Sequence, residues 1–337
     1  MSDTSPFTSR RPITVGLNAA IIAMRDLSPV TLVVDLKQRD QTAGLGGLPF
    51  GPFDPVHHRT LEAGLRTWVD EQTGLKLGYV EQLYTFGDRG RLTKLGGEDS
   101  HEVSIGYLAL TQLQRNDAAI PGRGLIDMGG RWRSWYGFFP WEDWRDDRPH
   151  MLDDRILPSL EVWAKSARDD KLRPMTPLQR FKLYFGLGSG TWDEERVLER
   201  YELLYEAGLV HEYYLDRGLE PPDDGTPLFG HPMKMDHRRI LATAISRLRS
   251  KLKYRPVVFE LMPESFTLTE LQTTVEAISG RHLHKQNFRR LVEQGQLVEP
   301  TGASSSATGG RPAKLFRFRR SVLAERPAPG LRLGGVN

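Results

Sequence analysis

The sequence contains no cysteine. This absence excludes a disulfide framework, a zinc site with thiolate ligands and a cysteine nucleophile. The sequence also lacks an unbroken apolar run of the roughly 18 to 20 residues that a membrane span needs. The first residues, MSDTSPFTSRRP, lack the apolar stretch of a secretory signal. We therefore expect a cytoplasmic protein with no membrane partner.

The sequence also lacks a large excess of one charge sign, since the formal net charge is +3 over 337 residues. The distribution is uneven, because the last hundred residues are rich in Arg and Lys. A basic segment of this kind favours a polyanion partner, although a solvated charged surface explains it equally well. An apolar content of 39% is enough to bury the cores of two or three domains.

The first part of the chain has the pattern of an α+β domain. Two β-rich runs, 12–24 and 29–38, are joined by a short polar turn and predict a hairpin. Apolar Leu61, Leu65 and Val69 follow at helical spacing within 56–73, and Gly74 ends that helix. Two further strands are expected in YVEQLYTF and VSIGYLALTQL.

An aromatic-rich segment interrupts this domain between Gly122 and Arg148. It holds four tryptophans, and we expect them to fill a core or an interface. A segment rich in proline, glycine and acids, GLEPPDDGTPLFGHP, then marks the best domain boundary. We therefore predict an N-terminal domain over 1–225 with an insertion at about 122–190, a second domain over 226–325 and a flexible tail over 326–337.

The second domain has the pattern of a winged helix-turn-helix. An amphipathic helix is expected around 240–252, and a capping box of Thr267 and Glu270 begins another helix that ends at Gly280. The next helix follows within a few residues. Two strands then flank TGASSSATGG, and the second alternates phenylalanine with arginine.

The outward face of the last of these helices is basic and polar. In a winged helix this face enters the major groove, where such side chains pair with base edges, and the wing lies over phosphates. A helical hairpin that packs on another protein is the alternative. The predicted DNA-binding residues are Lys285, Gln286, Asn287, Arg289, Arg290, Arg311 and Lys314.

Several long segments of the sequence resemble those of a known family. They are EQTGLKLGYVEQLYTFGDRGR, IGYLAL, FTLTELQTTVEAISGRHLHKQNFRRLVEQGQLVEP and GGRPAKLFRF. These segments resemble the NrtR-type, Nudix-related transcriptional regulators of NAD metabolism. The aromatic insertion resembles the longer, NadQ-like proteobacterial branch of the same family. The resemblance implies a Nudix-like α/β/α sandwich, α+β in class, followed by a winged helix. It also implies a repressor of NAD-related genes that binds double-stranded operator DNA. Because a single winged helix reads a short half-site and such operators are commonly twofold symmetric, we expect a homodimer.

The helix that carries catalytic acids in Nudix hydrolases is degenerate here. Counted back from Gly74, the glutamate positions hold Trp68, Glu71 and Gln72, and the earlier glutamate position holds Arg59. Carboxylates on one helical face hold Mg²⁺ against a pyrophosphate, and a single carboxylate cannot do this. We therefore predict no enzymatic activity, no catalytic residues and no bound metal.

A nucleotide effector is implied by the resemblance, with ADP-ribose, NAD or ATP as candidates and no required cofactor. Cations suit phosphates and an aromatic ring suits a base. Solvated loop arginines and outward strand residues are the ordinary alternative. The candidate effector-binding residues are Arg39, Gln82, Tyr84, Arg89 and Arg91.

Two competing hypotheses remain open at this point. One is an active pyrophosphohydrolase that uses Glu62, Glu71 and Glu98, with the basic domain as a nucleic-acid-binding accessory. The other is a protein-interaction scaffold with no small ligand. For the homodimer, the apolar face of the 240–252 helix is a candidate interface, unless that face packs within its own chain.

Overall fold

The computed structural model describes residues 13–35, 45–87, 101–113, 130–170, 172–188, 190–223, 225–305, 312–326 and 330–331. Strands β1 to β9 are, in order, Ile13–Arg25, Ser28–Asp35, Gly46–Gly47, Phe50–Pro52, Val80–Phe86, His101–Leu110, Arg131–Ser134, Val298–Ser305 and Ala313–Phe318. Helices α1 to α9 are Leu61–Thr73, Leu157–Ser166, Pro177–Tyr184, Val197–Glu206, His211–Leu215, His237–Leu252, Leu268–Ser279, Lys285–Gly295 and Val322–Glu325.

A mixed sheet forms the centre of the N-terminal domain, with the strand order β3-β2-β1-β6-β5. Strand β1 runs parallel to β6 and antiparallel to β2. The turn between β1 and β2 places Asp26 and Leu27 at positive φ, 48° and 59°. Two successive residues of this kind match the right-handed twist of the strands they join. The predicted hairpin is confirmed.

Helices cover both faces of this sheet. On one face, Leu65 and Val69 of α1 pack with apolar residues of β1 and β6. On the other face, α6 packs with β1, β5 and β6, and its Ile240 lies in one core with Ile22 and Leu108. The domain is therefore an α/β/α sandwich, as predicted.

The aromatic insertion packs against the α6 side of the sandwich. Trp135, Phe139 and Trp141 are fully buried, and they share a core with residues of α4 and α6. Their rings meet edge to face, as in the pair of Phe139 and Trp141, whose centroids lie 5.9 Å apart. These tryptophans fill a core, as the sequence led us to expect.

The position of α6 corrects the predicted division at residue 226. That division assigned the helix to the C-terminal domain, yet its Ile240, Ile245 and Leu248 are buried in the core beneath the sheet. An amphipathic stripe shows that a helix has a buried face, but not which surface covers it. The candidate dimer interface on α6 is therefore covered within the chain itself.

The C-terminal domain consists of α7, α8 and a hairpin of β8 and β9. Phe266, before α7, pairs with Phe316 of β9 and extends the hairpin by one bridge. Phe318 stacks on Phe259 at 4.4 Å between ring centroids. The phenylalanines of β9 therefore pack against the segment that precedes α7, on one face of the strand, as their alternation in the sequence predicts. This arrangement is a winged helix.

Part of the segment expected to be a flexible tail is packed. Arg326 donates from Nη1 to the carbonyl oxygen of Gly295 at 2.9 Å. Leu331 is 2% exposed, and its N–H donates to the carbonyl oxygen of Leu252 at 3.0 Å. That carbonyl is one of the last in α6 and needs a donor from outside the helix. Within the part of the chain that the structure describes, no helix is both long and apolar enough to cross a membrane.

Candidate nucleic-acid interface and nucleotide cleft

Local signals fix both ends of α7, the first helix of the winged-helix pair. Thr267 accepts the N–H of Glu270 at 3.1 Å, and Glu270 accepts the N–H of Thr267 at 2.7 Å, which completes the capping box. Gly280 ends the helix at a φ of 73°. The turn to α8 is five residues long, so the direction of α8 follows closely from that of α7.

The outward face of α8 carries the residues predicted to bind DNA. Phe288 and Val292 point inward and are buried. The residues on the opposite side are all exposed, and none of their side chains forms an ion pair or hydrogen bond with another described residue. They are Lys285, Gln286, Asn287, Arg289 and Arg290. This face therefore presents unpaired cations and amide groups to the solvent, as the recognition helix of a winged helix does.

The wing differs from α8 in that its arginines are paired. Arg317 donates to Glu299 across the hairpin at 2.7 Å, and Arg319 binds Glu325 at 2.7 Å. Lys314 is exposed and has no partner among the described residues. Arg311, the other predicted wing contact, lies outside them. The wing cation left for a phosphate among the described β9 residues is thus Lys314.

The degenerate positions of α1 lie beside β4. The indole of Trp68 rests directly on Gly51, so closely that a Cβ at residue 51 would clash with it. Glu71 is exposed, whereas the Oε1 atom of Gln72 is buried without a hydrogen-bond partner in the described structure. A tryptophan ring thus fills space at a position where a hydrolase would carry a metal-binding carboxylate.

The structure separates Gln82 and Tyr84, which the sequence placed together in the effector site. Gln82 accepts a long hydrogen bond of 3.4 Å from Tyr107, whose ring packs on the α1 side. Tyr84 is 57% exposed and lines a groove of about 280 Å³ with Thr243 and Arg247 on the α6 side. A β-bulge after Gln82 turns the two side chains to opposite faces. The other candidates, Arg39, Arg89 and Arg91, lie outside the described residues.

Two exposed histidines make local contacts with carboxylates. His57 and Asp54 lie 2.6 Å apart in an exposed loop, where their hydrogen bond raises the pKa of His57 and lowers that of Asp54. His282 lies 3.2 Å from Glu276 at the turn before α8. The described residues contain no group of three or more potential metal ligands.

The structure completely buries a set of charged residues whose role is not evident from the sequence. Glu142 lies between Arg200 and Arg249, and each of these side chains is at most 1% exposed. In the sequence they are ordinary charged residues, one among the aromatics and two on amphipathic helices. No local signal distinguishes them, because their partners are 58 and 107 residues away.

Comparison with known protein families identifies the C-terminal domain. Residues 258–318 match the model of the NrtR DNA-binding winged helix domain. This domain is an NrtR-type winged helix. The match begins after α6, and its predicted DNA-binding residues Arg289, Arg290 and Lys314 all lie within it.

A curated relative also matches the chain. The ADPR responsive transcriptional repressor NtrR of Acinetobacter baylyi is 44% identical over 86 residues. The match covers 26% of this chain and 34% of the relative, so this chain matches about a third of that protein's length.

Solved structures share the fold over nearly the whole chain. Shewanella oneidensis NrtR in complex with a 27mer DNA matches 92% of this chain and 95% of that chain, with a TM-score of 0.54 and 21% identity. The same protein without DNA matches with a TM-score of 0.53. Its NUDIX domain in complex with ADP ribose matches a third of this chain, 33%, at a TM-score of 0.27. The chain therefore shares its overall fold with Shewanella oneidensis NrtR, and its C-terminal domain is an NrtR-type winged helix.

Proposed function

We propose that this chain is a transcriptional repressor that binds operator DNA through its NrtR-type winged helix and responds to a nucleotide effector. The exposed, unpaired cations of α8 carry this proposal, because a phosphate or a base edge would be their first strong partner. Because Arg317 and Arg319 of the wing are paired, we expect α8 to supply most of the contacts. The regulated genes would belong to NAD metabolism, as in the family that the sequence resembles.

ADP-ribose is the effector that we propose first. The curated relative is named for its response to this molecule, and NAD and ATP are the alternatives to compare with it. The site would include Gln82 or Tyr84 but not both, because the bulge turns them to opposite faces. We propose Arg39, Arg89 and Arg91 as the phosphate-binding residues of the same site.

Operator binding by variants of α8 tests the proposal. The measurement is fluorescence anisotropy on the DNA upstream of the gene that encodes this chain. The salt concentration is fixed, since phosphate contacts make affinity strongly salt-dependent. Arg289→Ala together with Arg290→Ala should weaken binding by about 1 to 3 kcal/mol for each arginine that contacts a base. The affinity of these variants for ADP-ribose, measured by calorimetry, should stay unchanged.

A charge-matched control separates specific contacts from the loss of net charge. Arg133 and Arg168 are exposed, lie outside the winged helix and form no ion pair with another described residue, so their double alanine variant removes the same charge elsewhere. This control should retain operator binding. Equal losses in the two double variants would contradict the role of α8.

We also propose that the Nudix-like domain binds nucleotides without hydrolysing them. Trp68 occupies the space above Gly51, and Glu71 is the carboxylate left at the three helical positions of the catalytic set. The test is Mg²⁺-dependent turnover of ADP-ribose and NAD, with the Trp68→Glu, Gln72→Glu double variant beside the unmodified chain. We expect turnover from the unmodified chain to stay at background. Robust turnover would favour the hydrolase hypothesis instead.

A further inference from the structure

Helix α6 is tied at its N-terminal end to the strands beside the degenerate Nudix helix. The N–H of Leu48 donates to Nδ1 of His237 at 2.9 Å, and the N–H of Lys234 donates to the carbonyl oxygen of Gly46 at 3.1 Å. The next strand in the chain, β4, contains Gly51, on which the indole of Trp68 rests. The start of α6 therefore contacts the segment of Gly46 and Leu48 that leads into β4, and we take this segment as one wall of the proposed nucleotide cleft.

The C-terminal end of α6 is tied to the winged helix by one arginine. Arg249 is buried and donates from Nε to the carbonyl oxygen of Ile278 at 2.9 Å. Its Nη1 donates to Glu142 at 2.8 Å and to the carbonyl oxygen of Glu194 at 2.9 Å. Ile278 belongs to the last turn of α7, where carbonyl groups lack partners within the helix and the helix dipole favours a cation.

Two donors from the insertion bind the same end of α7. The Tyr136 hydroxyl donates to the carbonyl oxygen of Ala277, and the N–H of Trp144 donates to that of Gly280, each at 2.7 Å. The approach at Gly280 is so close that a Cβ there would clash with the Glu142 carbonyl and with Arg249. The last turn of α7 is thus held by directional bonds from α6 and from the insertion.

Glu142 fixes the direction of the arginine. Its carboxylate accepts two bonds from Arg200, at 2.6 and 2.8 Å, besides the bond from Arg249. Arg200 in turn lies 3.8 Å over the ring of Trp192. A buried ion cluster of this kind contributes little net stability compared with apolar residues, so a role in fixing geometry is the better explanation.

We propose that α6 is the element that couples the nucleotide cleft to the recognition helix, with Arg249, Tyr136 and Glu142 as the positioning residues that hold α7 to it. This inference rests on the function proposed above. A shift of the cleft wall at Gly46 and Leu48 would move α6 as a rigid rod. The bonds at Ala277, Ile278 and Gly280 would then carry that movement to α7 and, through the short turn, to α8.

We call the contact of Arg249, Tyr136 and Glu142 with the last turn of α7 the joint. The first test measures how rigidly this joint holds the two domains, in the absence of DNA. The sequence has no cysteine, so Asp70→Cys and Gln294→Cys introduce two spin labels at exposed positions on α1 and α8. Pulsed electron spin resonance then gives the distribution of distances between the domains. We expect a narrow distribution in the otherwise unmodified chain and a broadened one after Arg249→Lys, which keeps the charge but loses the planar fork of donors. Tyr136→Phe removes a single donor and should broaden it as well, even if the lysine variant folds poorly.

Matched controls come from the same core. Arg238 also lies on α6, is fully buried and donates to Glu212 and to the carbonyl oxygen of Phe138, but among the described residues it makes no hydrogen bond to α7. The Tyr205 hydroxyl donates to Asp216 instead of to α7. Arg238→Lys and Tyr205→Phe should therefore keep the narrow distribution, although they perturb equally buried groups.

The second test measures coupling as the ratio of operator affinities with and without ADP-ribose. Coupling between two sites is typically about 5- to 150-fold, and we expect the joint variants to bring the ratio close to one while both control variants keep it. The inference would be overturned if the joint variants kept the distance distribution and the affinity ratio of the unmodified chain. A broad distance distribution in the unmodified chain would overturn it as well. A joint that behaves as expected in a chain that binds neither operator nor ADP-ribose would refute the proposed function alone.

Discussion

His237 shows how a single polar residue can be held in a core. It is 1% exposed, and its Nδ1 accepts the N–H of Leu48, so the neutral ring carries its proton on Nε2. Burial lowers the pKa of His237 from its ordinary 6.5 to about 3. The folded chain therefore keeps this histidine neutral at every pH above about 3.

This residue makes the folded state sensitive to acid. Between pH 6.5 and about 3 the unfolded chain binds a proton at His237 that the folded chain does not. The contribution of His237 to the free energy of unfolding should therefore fall by roughly 1 kcal/mol for each pH unit of acidification in that window. His237→Asn keeps an acceptor for the N–H of Leu48 and does not titrate, so its pH slope should be shallower.

The measurement is urea unfolding at pH 7, 6 and 5. An exposed histidine, His150, provides the control, since His150→Asn should keep the slope of the unmodified chain. If the unmodified chain and both variants gave parallel curves, the free-energy cost of protonating buried His237 would not be the cause of the acid sensitivity.

At the scale of elements, two helix ends with the same local geometry differ in their surroundings. Gly74 ends α1 at a φ of 66°, and Gly280 ends α7 at a φ of 73°. A Cβ at Gly74 would meet no atom within 4 Å, whereas one at Gly280 would clash with Glu142 and Arg249. The two glycines therefore separate the effect of backbone conformation from that of the joint.

Alanine at these positions should give different losses of stability. Both variants incur the left-handed backbone penalty of about 1 to 2 kcal/mol. Gly280→Ala must also displace the bonded groups around it, which should add about 1 to 3 kcal/mol. Chemical unfolding of the two variants measures the difference. Equal losses would mean that the contacts around Gly280 yield without cost.

The same helix ends show what the sequence could predict. Thr267, Gly280 and Gly74 act through neighbouring backbone groups, so their residue types were enough to place both caps correctly. The partner of α6 was not predictable in this way, since its stripe of apolar residues fits either domain. The joint at Glu142 and Arg249 was missed because the two residues meet only when distant segments fold together.

The candidate site divides along the same line. The outward face of α8 follows from helical periodicity, and the structure exposes all of its predicted residues. The separation of Gln82 from Tyr84 depends on a β-bulge, which inserts one residue into the strand and has no reliable sequence signal.

At the scale of the whole molecule, we expect two chains on each operator. A single winged helix covers a short half-site, and a twofold operator matches a twofold protein. Since the apolar face of α6 is covered within the chain, the dimer must use another surface. Sedimentation of the chain, alone and with operator DNA at micromolar concentration, measures the stoichiometry. A single chain bound to each operator would contradict the expected homodimer.

The position of α6 also has a consequence for biosynthesis. The sheet is complete once β7 has been made, but its Ala20, Ile22 and Leu108 are covered by a helix that ends at residue 252. During translation this apolar face stays open while more than a hundred further residues emerge from the ribosome. Contacts between such distant segments slow folding and leave a partly folded chain prone to aggregation. We therefore expect the nascent chain to need protection of this face until α6 has been made, before any nucleotide or DNA can bind.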